Sequence, residues 1–166
     1  MRALAKQMII AIHGGLDEAY PPLILASTAA AMDMESYIFY TFYGLNVINR
    51  HLYDKLQVSP VGNAGMPVPG MPMPMPGAII DNVGALPGMR KMATGMMKSM
   101  FKRVNMMSIP ELVHLCIDSG VKIYPCQMTM DAFSMKKEDL VEGCQEAVGA
   151  ATALEIAADC NIHWSF

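Results

Sequence analysis

The sequence predicts an α/β fold, with a mainly parallel sheet that carries helices on both faces. Three observations lead there. Short apolar or β-branched runs of strand length alternate with segments of helical period along the chain. The first run, KQMIIAI, is apolar throughout, as a strand buried on both faces requires. The 166 residues are enough for one domain with a real core.

In order, residues 6–12 form the first strand, which ends at His13-Gly14-Gly15. Residues 17–33 follow as a helix, with Asp17 and Glu18 suiting its positive N-terminus and Ala-rich residues its body. Pro21 and Pro22 are expected in its first turn, where a missing N–H costs nothing. Residues 35–43, ESYIFYTFY, are aromatic and β-branched and predict a second strand. A short helix is expected over 44–56.

Residues 57–88 hold seven of the eleven prolines and six glycines, so no regular element is expected there. This segment includes AGMPVPGMPMPMPG and reads as a flap within one domain spanning 1–166. Residues 89–104 regain helical period, with Met89, Met92, Met96, Met100 and Val104 on one stripe. Arg90, Lys91, Lys98, Lys102 and Arg103 occupy other faces, and ordinary packing is the expected role of the stripe. A capped helix covers 108–119, with Ser108, Pro110 and Glu111 as its start signal and Gly120 as its stop. VKIYP is a strand running into Cys126. Short helical turns follow at 127–134 and 136–142, then a helix at 149–159 and a last strand at 161–166. A further strand is possible near 56–61 or 146–149.

Composition narrows the function. A net charge of −3 gives no general attraction to nucleic acid. The apolar run from Tyr20 to Met32 falls short of the ~20 residues a membrane-spanning helix needs, so no integral membrane segment is expected. Hydrophobic residues make up 53% and charged residues 16%, which points to surface buried between copies of the chain. Cys116, Cys126, Cys144 and Cys160 are spaced by 10, 18 and 16 residues, with no CxxC pair and no zinc pattern. Reduced thiols fit a cytoplasmic protein, and no secretory leader is read.

Ligands of open α/β sheets bind beyond the carboxyl ends of the strands. Three strand ends nominate one rim: His13-Gly14-Gly15, Tyr43-Gly44-Leu45-Asn46 and Pro125-Cys126-Gln127. Cys126 stands between a strand and a helix start, where free amides favour a thiolate or the outer sulfur of a persulfide. A buried core cysteine is the competing reading. His13 is either a proton donor and acceptor or a turn residue. Gly14 and Gly15 offer amides to an anion. Cys116 reads as core and Cys144 as incidental. Cys160 resolves an oxidised Cys126 only if the fold brings the two together.

The segment YPCQMTMDAFSMKKEDLVEG, then VGAATALEIAAD and a final strand, resembles the DsrE/DsrF-like family. TFYGLNVI, the Pro/Met segment and ALPGMRKMATGMMK resemble its larger branch, whose members carry a peroxiredoxin-like or sulfurtransferase label. That resemblance implies a three-layer sandwich with about five strands. It implies a trimer or hexamer. It implies a cysteine, here Cys126, that carries sulfur as a persulfide and exchanges it with a small TusA-like carrier protein. It extends less directly to Cys160. From the strand ends, His13, Gly14, Gly15, Tyr43, Asn46 and Gln127 are expected to line the substrate site, and no cofactor is expected. Two other functions stand beside sulfur relay. One is a Cu(I) module using Met66, Met71, Met73 and Met75, since soft thioethers select that ion. The other is a non-catalytic subunit of a hetero-oligomer.

Overall fold

The computed structural model describes residues 5–59 and 88–166. Its sheet has four strands, all parallel, in the order β3-β2-β1-β4. They are β1 (Lys6–Ala11), β2 (Glu35–Tyr40), β3 (Lys122–Pro125) and β4 (Ile162–Ser165). Register is continuous across the sheet: Ile9 pairs with Ile38 and Trp164, and Ile38 with Ile123. A segment at 145–148 runs beside β3 and makes a single parallel bridge from Val148 to Cys126. The extra strand expected near 146–149 is thus one bridge long, and the described residues hold four strands where about five were expected.

The helices are α1 (Leu16–Ala31), α2 (Met89–Arg103), α3 (Ile109–Asp118), α4 (Gln127–Ala132) and α5 (Ala150–Ala158). One face of the sheet, with Ile9, Ala11, Ile38, Tyr40 and Ile123, packs on α1 through Leu16, Ala19 and Leu23. The same cluster takes in Ile109, Leu112, Val113 and Cys116 of α3. The opposite face, with Met8, Tyr37 and Phe39, is covered by Ala153, Ile156 and Ala157 of α5. Topology explains this division. From β1 to β3 the chain advances toward one edge, and then crosses back to β4 on the other edge. Right-handed crossovers in opposite directions place their helices on opposite faces.

The start of α3 matches its sequence signal, with the Glu111 carboxylate accepting from the Ser108 amide at 2.7 Å. Three expectations need correction. Pro21 and Pro22 lie inside α1, past its first turn. Residues 42–47 form a 3-10 turn, followed by irregular turns rather than a helix over 44–56. The methionine stripe of α2 is not its packing face: Met100 is 43% exposed and Val104 69%. The helix packs instead through Ala93, Thr94, Met97 and Phe101, with the Phe101 ring edge-on to Tyr20 at 4.7 Å. Methionines populate so much of α2 that a second apolar stripe is available, and the aromatic contact favours that one. Residues 60–87, with most of the flap and the four methionines of the copper reading, lie outside the described residues.

Candidate functional site

Because every strand is parallel, the loops after β1, β2 and β3 meet on one rim, as the strand ends predict. Close backbone approaches lock them together. The Thr41 amide donates to the Ala11 carbonyl at 3.0 Å, and the Gly44 amide to Ile12 at 2.8 Å. The Cys126 amide donates to the Tyr40 carbonyl at 2.9 Å. A Cβ on Gly14 would collide with the Tyr43 carbonyl oxygen, and one on Gly44 with the Ala11 carbonyl oxygen. Glycine is required at both positions so that the first two loops can touch.

Cys126 follows β3 directly and is the N-cap of α4, with extended backbone. It is 8% exposed. Burial by itself raises a thiol's pKa, but the polar groups around Cys126 outweigh it here. The Thr129 hydroxyl and amide, the Thr41 hydroxyl and the Met128 amide all favour the charged sulfur, and Cys126 is held below the ordinary thiol value. The two hydroxyls are 3.0 Å apart. The Phe42 amide donates to the Thr129 hydroxyl oxygen at 3.3 Å. Phe42 adopts φ +46°, a left-handed conformation uncommon for a bulky residue.

The other cysteines differ. Cys116 is fully buried, donates to the Leu23 carbonyl and is pushed by burial up to about 12. Burial likewise takes Cys144 up to about 12. Cys160 is buried, and burial raises it above the ordinary value. It precedes β4 and sits at the amino-terminal rim, where the next residue's amide, that of Asn161, donates to the Lys6 carbonyl. Cys126 and Cys160 border the same apolar cluster from its two ends, and the fold does not bring them together.

The remaining rim residues separate into roles. The Gly14 loop faces Tyr43 and Asn46. His13 is exposed. The Gly15 amide already donates to the Glu18 carboxylate at 3.1 Å, so it is not free for an anion. Gln127 is exposed, and its side chain donates to Asp131 at 2.7 Å. Tyr43 lies 5.9 Å, ring to ring, from Phe133 just past α4. Phe42 and Met128, the latter 76% exposed, add two further exposed apolar side chains on the segments that follow β2 and Cys126. A cavity of about 260 Å³ lies elsewhere, lined by Arg50, Leu140 and Cys144 among others, and Cys126 is not in its wall.

Thr41 and Thr129 are the site residues that sequence reading missed. The signal was present as C-x-x-T, the spacing from N-cap to the third helical residue, and as a threonine directly beyond β2. Among the described residues no group of three His, Cys, Asp or Glu side chains is placed to hold a metal ion. Among them, too, no helix is long and apolar enough to cross a membrane.

Comparison with known proteins places these features. A sequence model described as the DsrE/DsrF/DrsH-like family matches residues 4–164. The chain is 46% identical over 158 residues to a protein named sulfur carrier protein DsrE2 from Allochromatium vinosum, covering 95% of each. It is 29% identical to the uncharacterized protein YrkE of Bacillus subtilis, covering 95% of this chain and 94% of that one. Among solved structures it resembles the ychN protein from E. coli with a TM-score of 0.56 at 11% identity, across 98% of this chain and all of the other. At that identity the likeness is one of fold.

Proposed function

The chain belongs to the DsrE/DsrF/DrsH-like family, and from that membership we propose that it relays sulfur as a persulfide on Cys126. The observation that carries this reading is the setting of that thiol. Cys126 is the one cysteine of the four whose surroundings favour a thiolate. A sulfur carrier at 46% identity supports the same role.

In the proposed cycle the Cys126 thiolate attacks the outer sulfur of a donor persulfide. A new S–S bond forms, the donor's S–S bond breaks, and the donor leaves as a thiolate. Cys126 then holds S–SH. An acceptor thiolate attacks that outer sulfur, and Cys126 departs as a thiolate, ready for the next turn. No net oxidation occurs, and no cofactor is required.

The exchange partner in this reading is a small TusA-like carrier protein. The exposure of Phe42, Tyr43, Met128 and Phe133 on the segments that follow β2 and Cys126 supports it, because exposed aromatic and methionine side chains suit a protein surface. Cys126, though only 8% exposed, lies at the strand-end rim, which suits a thiol delivered on another protein. Exposed Ile10, Leu154 and Trp164 fit the further expectation of a homo-oligomer, a trimer or hexamer, and free thiols fit a cytoplasmic setting.

Mass spectrometry after incubation with a persulfide donor tests the assignment. The expected result is an adduct of about +32 Da, one sulfur atom, that dithiothreitol removes and Cys126→Ala abolishes. An adduct that persists in Cys126→Ala would refute it.

A further inference from the structure

Helix α2 carries five cationic residues and no acidic one, in a chain whose net charge is −3. Arg90, Lys91, Lys98, Lys102 and Arg103 are all exposed. Among the described residues none of them takes part in an ion pair. Beside this charge lies apolar surface that the fold leaves uncovered. The helix packs through Ala93, Thr94, Met97 and Phe101. Met92, Met96 and Met100 form a second row at steps of four, with Met92 52% exposed. Lys98 and Lys102 begin a third row, which Lys91 extends by two turns. Between the methionine and lysine rows run Gly95 and Ser99, also four apart and both exposed. A Cβ on Gly95 would meet nothing within 4 Å. Two raised rows with a shallow one between them make the groove that receives a ridge of another helix.

We propose that the outer face of α2 docks an acidic amphipathic helix of a partner protein. The partner's apolar ridge lies along Gly95 and Ser99 against the methionines, and its Asp or Glu side chains face Lys91, Lys98 and Lys102. Charge complementarity selects the acidic partner, and methionine supplies apolar contact that adapts to the ridge it meets. Two features favour a helix over a lipid surface. A bilayer is smooth and makes no use of a groove between two rows. Helices that lie in a bilayer surface carry Trp, Phe or Leu on their apolar side, and here that side is methionine. The position of α2 gives the docking a place in the molecule. The Val58 amide donates to the Thr94 hydroxyl at 3.1 Å, and Arg90 Nε to the Val58 carbonyl at 2.9 Å. The next amide, that of Ser59, donates to the Asp17 carboxylate at 2.8 Å. These bonds tie α2 to the first turn of α1, just beyond the end of β1. A protein bound to α2 is thus held at the end of the sheet where Cys126 also lies. The proposal stands apart from what Cys126 carries.

The test is fluorescence anisotropy of labelled synthetic helical peptides titrated with the full chain. One peptide carries a leucine ridge flanked by glutamates, and its control the same ridge flanked by lysines. The glutamate peptide is expected to bind about ten-fold or more tightly than the control, with the difference narrowing at high salt. Two variants address the two halves of the surface. Lys91→Glu combined with Lys102→Glu reverses the charge row, and is expected to weaken the glutamate peptide about ten-fold or more. Gly95→Leu fills the groove without touching a charge, and is expected to weaken it by a similar factor. Both changes lie on exposed helix positions, and circular dichroism checks that the fold is kept. Equal binding of the two peptides overturns the proposal, as does a parent chain that binds neither. A Gly95→Leu chain that binds like the parent shows attraction of charge alone and overturns it too. Sedimentation of the chain by itself and flotation with phosphatidylglycerol vesicles examine the other occupants. An oligomer that Gly95→Leu dissociates assigns the face to a second copy. Vesicle binding that the charge reversal abolishes and Gly95→Leu retains assigns it to a membrane. Either result overturns the proposal. No step requires sulfur on Cys126, so failure of the relay reading leaves this test intact.

Discussion

The four thiols share one chain and one solvent, and their surroundings alone set them apart. A thiol alkylates as its thiolate, so a lowered pKa brings reactivity to lower pH and a raised one postpones it. Cys126 is therefore expected to reach its plateau below the pH at which an ordinary thiol does. Cys116 and Cys144, pushed up to about 12, are expected to stay unlabelled through the neutral range. Site-resolved iodoacetamide labelling of the folded protein checks the order, and faster labelling of Cys116 than of Cys126 would contradict it. Cys126 was legible in the sequence because a strand end followed by a helix start is a local pattern. Thr41 was not, because 85 residues separate it from Cys126 and only the parallel pairing of β2 with β3 brings them together. Cys144 looked incidental in a polar stretch, EGCQE, yet it packs against the apolar core.

Among the elements, the two loops after β1 and β2 carry the tightest constraint. Gly44 abuts the Ala11 carbonyl and Gly14 the Tyr43 carbonyl, and both obstacles are backbone that cannot rotate away. Gly44→Ala is expected to destabilise the protein by about 1–3 kcal/mol, as overpacking does. It is also expected to slow Cys126 labelling, because the loop carrying Thr41 and Phe42 must shift. Chemical denaturation with parallel labelling reads both effects, and an unchanged unfolding midpoint would show that the loops can separate freely. Elements with a strong local signature were readable: the apolar run of β1, the Ser108–Glu111 cap and the alanine-rich α5. The packing face of α2 was not, since its apolar residues define two stripes and the choice depends on Tyr20, which lies far away in sequence. The prolines of α1 were misplaced for a related reason. Tertiary packing along the first sheet face holds that helix together past a local penalty.

For the molecule as a whole, the alternation of strands and helices gave the parallel architecture, but strand order does not follow from it. The order matters for chemistry. Cys126 lies beyond the carboxyl end of β3, level with Tyr40 and Ala11, and Cys160 lies before β4, level with Lys6. Five residues of strand separate these levels, roughly 17 Å at about 3.3 Å per residue. A disulfide requires Cα atoms within about 7 Å. Mild oxidation of the folded protein is therefore expected to give no Cys126–Cys160 bond within one chain. Peptide mapping without reductant checks this, and such a bond in the monomer would show that the sheet had come apart. The same strand order bears on how the chain is made. β1 soon finds β2 on one side, but its other neighbour, β4, comes some 155 residues later. Until then the growing polypeptide exposes an unpaired strand edge with Met8 and Ile10 beside it. The nascent protein thus carries an adhesive border while those intervening residues are made, and it is during that interval that chaperones have reason to attend to it.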